Sequence, residues 1–165
     1  MSFWDFWRHG QATTQPKPIP VAPIDPPTHF DRAFTVVVGE EGGYSADPRD
    51  PGGETKFGIS KRAYPALDIP NLTLAEAKRI YRADYWDKLG CDTRPWAEAL
   101  CVFDCGVNQG VNRARELLLQ VQRGDDFVAR FQAERMLRYA KLPSFEVYGR
   151  GWSRRLVRIA IEASK

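Results

Sequence analysis

The sequence predicts a mainly α fold, a helical bundle around a buried central helix, with a small β excursion near residues 44–59. Three observations carry this expectation. Apolar residues recur at helical spacing through most of the chain beyond residue 30. One stretch, about 95–106, is apolar nearly all round (Trp96, Ala99, Leu100, Val102, Phe103), as in a helix enclosed by others. Only residues 44–59 join a dense run of turn formers to a β-compatible segment. A length of 165 residues suits one domain with a tail.

Residues 1–29 are read as that tail. Pro16, Pro18, Pro20, Pro23, Pro26 and Pro27 favour extended, polyproline-like backbone. Phe3, Trp4, Phe6 and Trp7 fit an end that docks on its own body, or a docking peptide or interfacial anchor for a partner. The folded body is set at 30–165, with about 98–163 as its helical second half.

Within the body, Phe30, Phe34, Val37 and Glu41 line one side of a helix over about 30–41, stopped by Gly42-Gly43. Residues 44–54 are loop, and Thr55 to Ile59 is a short strand. Thr73-Leu-Ala-Glu76 is a capping box opening a helix to about Leu89. Pro95 suits the first turn of the central helix. Further helices are expected at about 111–122, 126–141 and 151–163.

Composition removes several chemistries. The two histidines, His9 and His29, both fall in the first 30 residues. A body without imidazole cannot run a Ser-His-Asp, Cys-His or HExxH site. Carboxylates, hydroxyls, thiols and amines remain. The net charge of +3 is mild and lacks the concentrated basic stripe of a nucleic-acid binder. Cys91, Cys101 and Cys105 read as buried thiols of a reducing compartment; a three-cysteine zinc site would lack CxxC spacing. There is no 18-residue apolar run for stable membrane insertion, and the start MSFWDFWRHG lacks the apolar core of a signal peptide.

The chemistry concentrates in residues 39–60. Helical phase puts Glu41 beside Phe34 and Val37 at the end of a helix. An apolar neighbourhood and a helix C-terminus both disfavour an ionised carboxyl, the condition a general acid needs. Asp47 and Asp50 follow in a loop fixed by glycine and proline, and Gly52, Gly53 and Thr55 turn the chain back. Glycosidic cleavage requires an acid and a second polar or carboxylate group, and Asp50 or Thr55 fits the second role. Asp47 and Asp50 equally fit Asx turns before proline. Asp104 and Asn108, one turn apart on the apolar central helix, either contact sugar and brace the site or stitch helices together. Tyr44, Tyr81, Tyr85 and Trp86 fit sugar stacking or the core, and Trp152 the core. Arg150, Arg154, Arg155 and Arg158 fit a solvated face or a surface for an acidic partner.

The run Glu41-Gly-Gly-Tyr44, Asp47-Pro, Asp50-Pro-Gly-Gly53, Thr55 and Phe57-Gly-Ile-Ser60 resembles the opening motif of the glycoside hydrolase 108 muramidases of bacteria and phages. Phe103-Asp-Cys-Gly-Val-Asn108 with Gly110 and Arg113-Ala resembles a second segment of that family. Arg135 to Tyr139, Phe145 and Gly151-Trp-Ser-Arg-Arg155 resemble its closing peptidoglycan-associated segment. The resemblance spans about 30–160. It implies a lysozyme-like α+β fold and an N-acetylmuramidase cleaving the β-1,4 bond between N-acetylmuramic acid and N-acetylglucosamine. Phage lysis or wall breaching would be its setting. Glu41 would be the catalytic acid, with Asp50 and Thr55 assisting, and Tyr44, Asp47, Tyr85, Asp104 and Asn108 contacting substrate. The spacing also echoes the Glu, Asp, Thr arrangement of phage lysozymes, except that four residues rather than five separate Asp50 from Thr55. No metal or organic cofactor is implied. The expected partner is the peptidoglycan glycan strand, the expected state a monomer, and delivery to the periplasmic wall would use a holin, a secretion route or a virion. A lytic transglycosylase and a non-catalytic wall-binding or virion module are the alternatives.

Overall fold

The computed structural model describes residues 28–39, 43–46, 52–121 and 124–165. The tail through residue 27, and Glu41, Asp47 and Asp50, lie outside the described residues.

The first helix, α1 (His29–Val37), is opened by Thr28, whose hydroxyl accepts from the Asp31 N–H at 3.2 Å. Such a cap satisfies one of the donors a helix start leaves unpaired. The helix thus begins one residue earlier than expected and takes His29 out of the tail; the imidazole lies 5.7 Å from the Trp96 ring. It sits at the N-terminal end of α1, so the folded body that was expected to lack imidazole holds one. Phe30, Ala33, Phe34 and Val37 are buried, each phenylalanine worth roughly 1.5–3 kcal/mol.

The helix also ends earlier than expected. Val38 is the C-cap, and Gly39, at φ 84°, donates its N–H to Thr35 C=O at 3.1 Å. This is the left-handed closure that glycine permits. Gly39 therefore stops α1 before the expected Gly42-Gly43.

The expected single strand is a hairpin. β1 (Thr55–Lys56) pairs antiparallel with β2 (Ile59–Ser60), with Thr55 opposite Ser60 and Lys56 opposite Ile59. Phe57 and Gly58 both have positive φ, 50° and 73°. That is the two-residue turn whose twist matches a hairpin.

α2 (Leu74–Tyr81) begins at the expected capping box, with Thr73 and Glu76 bonded reciprocally. The helical run reaches Leu89, but as a π turn over Arg82–Trp86 and a 3-10 turn over Asp87–Leu89. A second 3-10 turn, Cys91–Thr93, leads to α3 (Trp96–Gln109), with Pro95 as its N-cap.

α3 is the central helix. Every residue from Glu98 to Gly106 is buried, and it packs against α1 and against α4 (Val111–Gln120), α5 (Phe127–Ala140) and α6 (Phe145–Ala163). α6 starts six residues before the expected 151. Gly149 and Gly151 weaken helical propensity there, but Gly149 is where the Phe145 ring packs: a Cβ would lie 2.7 Å from it. Cys91, Cys101 and Cys105 are unpaired and buried; burial pushes Cys91 and Cys101 up to about 12 and Cys105 to about 11. All three are neutral fillers of the core. No described helix is long and apolar enough to cross a membrane, and the described residues hold no cluster of metal-binding side chains.

Candidate active site

The loop carrying the motif is pinned at its mouth. Ser45 and Thr55 exchange backbone hydrogen bonds, Ser45 N–H to Thr55 C=O at 2.9 Å and Thr55 N–H to Ser45 C=O at 2.8 Å. In sequence, Asp47 and Asp50 lie between the two residues of this bridge. Beside it the Tyr44 hydroxyl donates to Glu54 Oε1 at 2.7 Å, and that bond to a carboxylate raises the Tyr44 pKa. Lys61 N–H donates to Glu54 C=O at 2.8 Å and Arg62 N–H to Gly52 C=O at 3.2 Å, so β2 carries the loop's returning limb.

The hairpin is fastened to the helices by few but specific contacts. The Tyr81 hydroxyl donates to Phe57 C=O at 3.0 Å across the turn. A Cβ on Gly58 would lie 2.7 Å from that hydroxyl oxygen, so glycine is required both for φ and for the approach. Burial pushes the Tyr81 phenol up to about 12, which keeps it a donor. Lys56 Nζ donates to Pro70 C=O at 2.8 Å, and the Tyr64 hydroxyl to Asp84 Oδ2 at 2.9 Å. Ile59 buries its side chain in the core.

The structure separates the expected site residues. Thr55 is half-buried at the bridge, its hydroxyl donating to Gly53 C=O at 3.2 Å. Tyr44 is exposed, beside the same bridge. Tyr85 is partly exposed and stacks on Tyr81, with centroids 5.4 Å apart, behind the hairpin. Trp86 is fully buried, its ring N–H donating to Asp92 Oδ1 at 2.8 Å, so it belongs to the core.

Asp104 has no exposed surface. Its Oδ2 lies 2.8 Å from Arg135 Nη2, and its Oδ1 accepts from Arg155 Nε at 2.8 Å. The Arg135 side chain is itself fully buried and also donates to Gln132 Oε1 at 2.9 Å. Burial opposes the Arg135 charge, and the Asp104 carboxylate more than restores it. This carboxylate therefore stitches α3, α5 and α6 together and does not meet a sugar. Asn108, one turn on, is exposed, and its Oδ1 accepts from the Tyr139 hydroxyl. The Tyr139 ring in turn stacks on Trp152, 4.6 Å between centroids at 20°. Trp152 is half-buried, not core.

Sequence reasoning missed Tyr81 as the hairpin's anchor, Glu54 as the partner of Tyr44, and the distinct position of Arg155. Arg150, Arg154 and Arg158 are exposed, but Arg155 is pinned to Asp104. The available signal was Asp104 itself, since a carboxylate on an all-apolar helix must find a cation.

Residues 34–110 match the glycosyl hydrolase 108 family. Over that span the chain is similar to the glycosyl hydrolase 108 family. The span opens on α1, holds the pinned loop and the hairpin, and closes at the end of α3. The segment 135–155, the third resemblance, lies beyond the family's matched residues. Among solved structures, Brucella abortus SagA matches with a TM-score of 0.71 and 27% identity, covering 81% of this chain and 92% of that chain. No curated protein gives a significant match. The glycosyl hydrolase 108 span and its helical continuation together form the mainly α, lysozyme-like fold.

Proposed function

We propose that this glycosyl hydrolase is an N-acetylmuramidase, cleaving the β-1,4 bond between N-acetylmuramic acid and N-acetylglucosamine in peptidoglycan. The observation that carries the reading is the match of residues 34–110, which contains the whole Glu41-to-Ser60 motif, to a glycosyl hydrolase family. The Ser45–Thr55 bridge supports it by joining Ser45 of the motif to the hairpin that the Tyr81 hydroxyl ties to α2.

In this mechanism Glu41 protonates the leaving oxygen. Asp50 or Asp47, with the Thr55 hydroxyl, orients water or stabilises positive charge at the anomeric carbon. Tyr44 and Tyr85 flank the glycan. The products are released in the periplasmic wall. The experiment is Glu41→Gln, assayed by solubilisation of purified peptidoglycan with circular dichroism as the control for folding. The expected result is a large loss of rate at unchanged fold; retained activity refutes the role of Glu41.

A further inference from the structure

One face of α6 is apolar and uncovered. Its buried side, Leu156, Ile159 and Ala163, meets the bundle. On the opposite side Val157 is 60% exposed and Ile161 is 55% exposed. They lie four residues apart, so their side chains are neighbours on the helix surface. Arg154 and Arg158 flank them on the same face. Both arginines are exposed and, among the described residues, unpaired. With Ser153 and Glu162 these side chains line a shallow groove of about 390 Å³. An apolar pair framed by two guanidinium groups suits aromatic side chains: their faces cover the valine and isoleucine, and the cations stack on the rings.

The described chain begins at the end of this groove. Thr28 caps α1, and the His29 ring lies 5.7 Å from that of Trp96. The Trp96 ring N–H donates to Glu162 C=O at 3.2 Å, and the Arg32 guanidinium lies 3.8 Å from the Trp96 ring centroid. These contacts fix the root of residues 1–27 against the last turns of α6, where Ile161 and Glu162 close the groove. In sequence, that segment holds Phe3, Trp4, Phe6 and Trp7, with Asp5 among them. Aromatic side chains around one carboxylate complement an apolar pair framed by two cations. Residues 8–27 join them to α1. A chain of that length averages about 25 Å end to end as a coil, and more where proline extends it. Arg154, at the far end of the groove, is about 12 Å along α6 from Glu162. The tether therefore reaches the whole groove, and tethering makes the local concentration roughly millimolar. A second copy of the chain lacks that advantage: a stable interface takes roughly 20–30 residues a side, and this groove is lined by six.

We propose that the outer groove of α6 is the docking site of the chain's own N-terminal aromatic segment, Phe3 to Trp7, with indole rings on Val157 and Ile161 and Asp5 toward Arg154 and Arg158. A docked segment is withheld from other surfaces, so the groove controls whether these aromatic side chains are offered to a partner. The proposal concerns only what covers α6 and does not depend on the muramidase reading.

The test uses the full chain with a nitroxide attached at Ser2→Cys; Cys91, Cys101 and Cys105 are buried, so the new thiol is the one labelled. Amide resonances of the isotope-labelled protein are then read by NMR. Those of Val157, Arg158 and Ile161 are expected to lose most of their intensity. Trp4→Ser with Trp7→Ser should restore it, and so should Val157→Asp with Ile161→Asp. The second pair is exposed, so the fold is expected to survive it, with circular dichroism as the check; the first pair removes the same contact without touching the described residues. A mixture of nitroxide-bearing unlabelled chain and isotope-labelled chain without nitroxide should show no broadening, because the contact is within one chain. Broadening in that mixture means that a second copy fills the groove and overturns the proposal. So does a loss of intensity no greater at Val157 and Ile161 than at Leu119 and Leu137, exposed apolar residues of α4 and α5. Broadening that persists in both substituted pairs overturns it as well.

Discussion

The hairpin and the charge cluster beneath α6 are held by opposite means. The hairpin has two strands of two residues, one isolated bridge at its base and one tyrosine hydroxyl across its turn. The cluster is sealed: Asp104 and Arg135 have no exposed surface and tie three helices together. The hairpin reaches the bundle through the Tyr81 hydroxyl, the Lys56 ammonium and the buried Ile59 side chain, whereas the ionic cluster is enclosed by three helices. A lightly fastened hairpin on a rigid scaffold is an arrangement that lets residues near it vary without unfolding the domain. Substitutions in the first region should change rate, and those in the second should change stability.

The largest effect is expected at Glu41. Glu41→Gln should lower peptidoglycan cleavage by about 10²–10⁴-fold, the usual worth of a general acid, with no change in the thermal unfolding midpoint. A stability loss of equal size would erase the contrast. Next comes Asp104→Ala, which leaves Arg135 buried and unpaired. Breaking such a pair costs roughly 3–5 kcal/mol, read by urea unfolding. A loss below 1 kcal/mol would mean that water reaches the cluster. Gly58→Ala lies between the two regions. A Cβ at positive φ costs about 1–2 kcal/mol, and it also displaces the Tyr81 hydroxyl. Both stability and cleavage rate should fall; unchanged rate would show that the turn does not position the site.

The smallest effect is a titration. Asp84 lies below the ordinary carboxylate value because Lys88, and then Tyr64, hydrogen-bond to its ionised form. A depressed folded value means that its stabilisation is present above the unfolded pKa of about 3.9 and is lost as pH falls through the folded value. Asp84→Asn should remove that acid-limb contribution and, because the pair is largely in water, change stability by less than about 1 kcal/mol. An acid unfolding curve identical in both proteins would show that this tether does not count.

Most of the helical frame was legible from sequence. The capping box at Thr73 and the all-apolar run of α3 are local signals, readable without partners. Three features were not. The end of α1 at Gly39 competes with a more conspicuous Gly-Gly pair, and only the backbone conformation distinguishes them. The hairpin turn places a non-glycine residue, Phe57, at positive φ, stabilised by a contact from Tyr81, which is 24 residues away. The fate of Asp104 was left open between sugar and structure because its partners, Arg135 and Arg155, come from two other helices. At the site, the motif was legible as a motif, since many residue types coincide in a short span. The Ser45–Thr55 bridge within it is anticipated by no spacing rule.

The central claim is that a glutamate-dependent hydrolysis of the muramic acid linkage occurs here. Mass spectrometry of the fragments from digested peptidoglycan tests it most directly, with the unaltered protein beside Glu41→Gln. Fragments ending in a reducing muramic acid, present with the unaltered protein and missing with Glu41→Gln, are the predicted result. Fragments with a 1,6-anhydro end would reassign the reaction to a lytic transglycosylase. Identical digests from both proteins, or no fragments from either, would contradict the account.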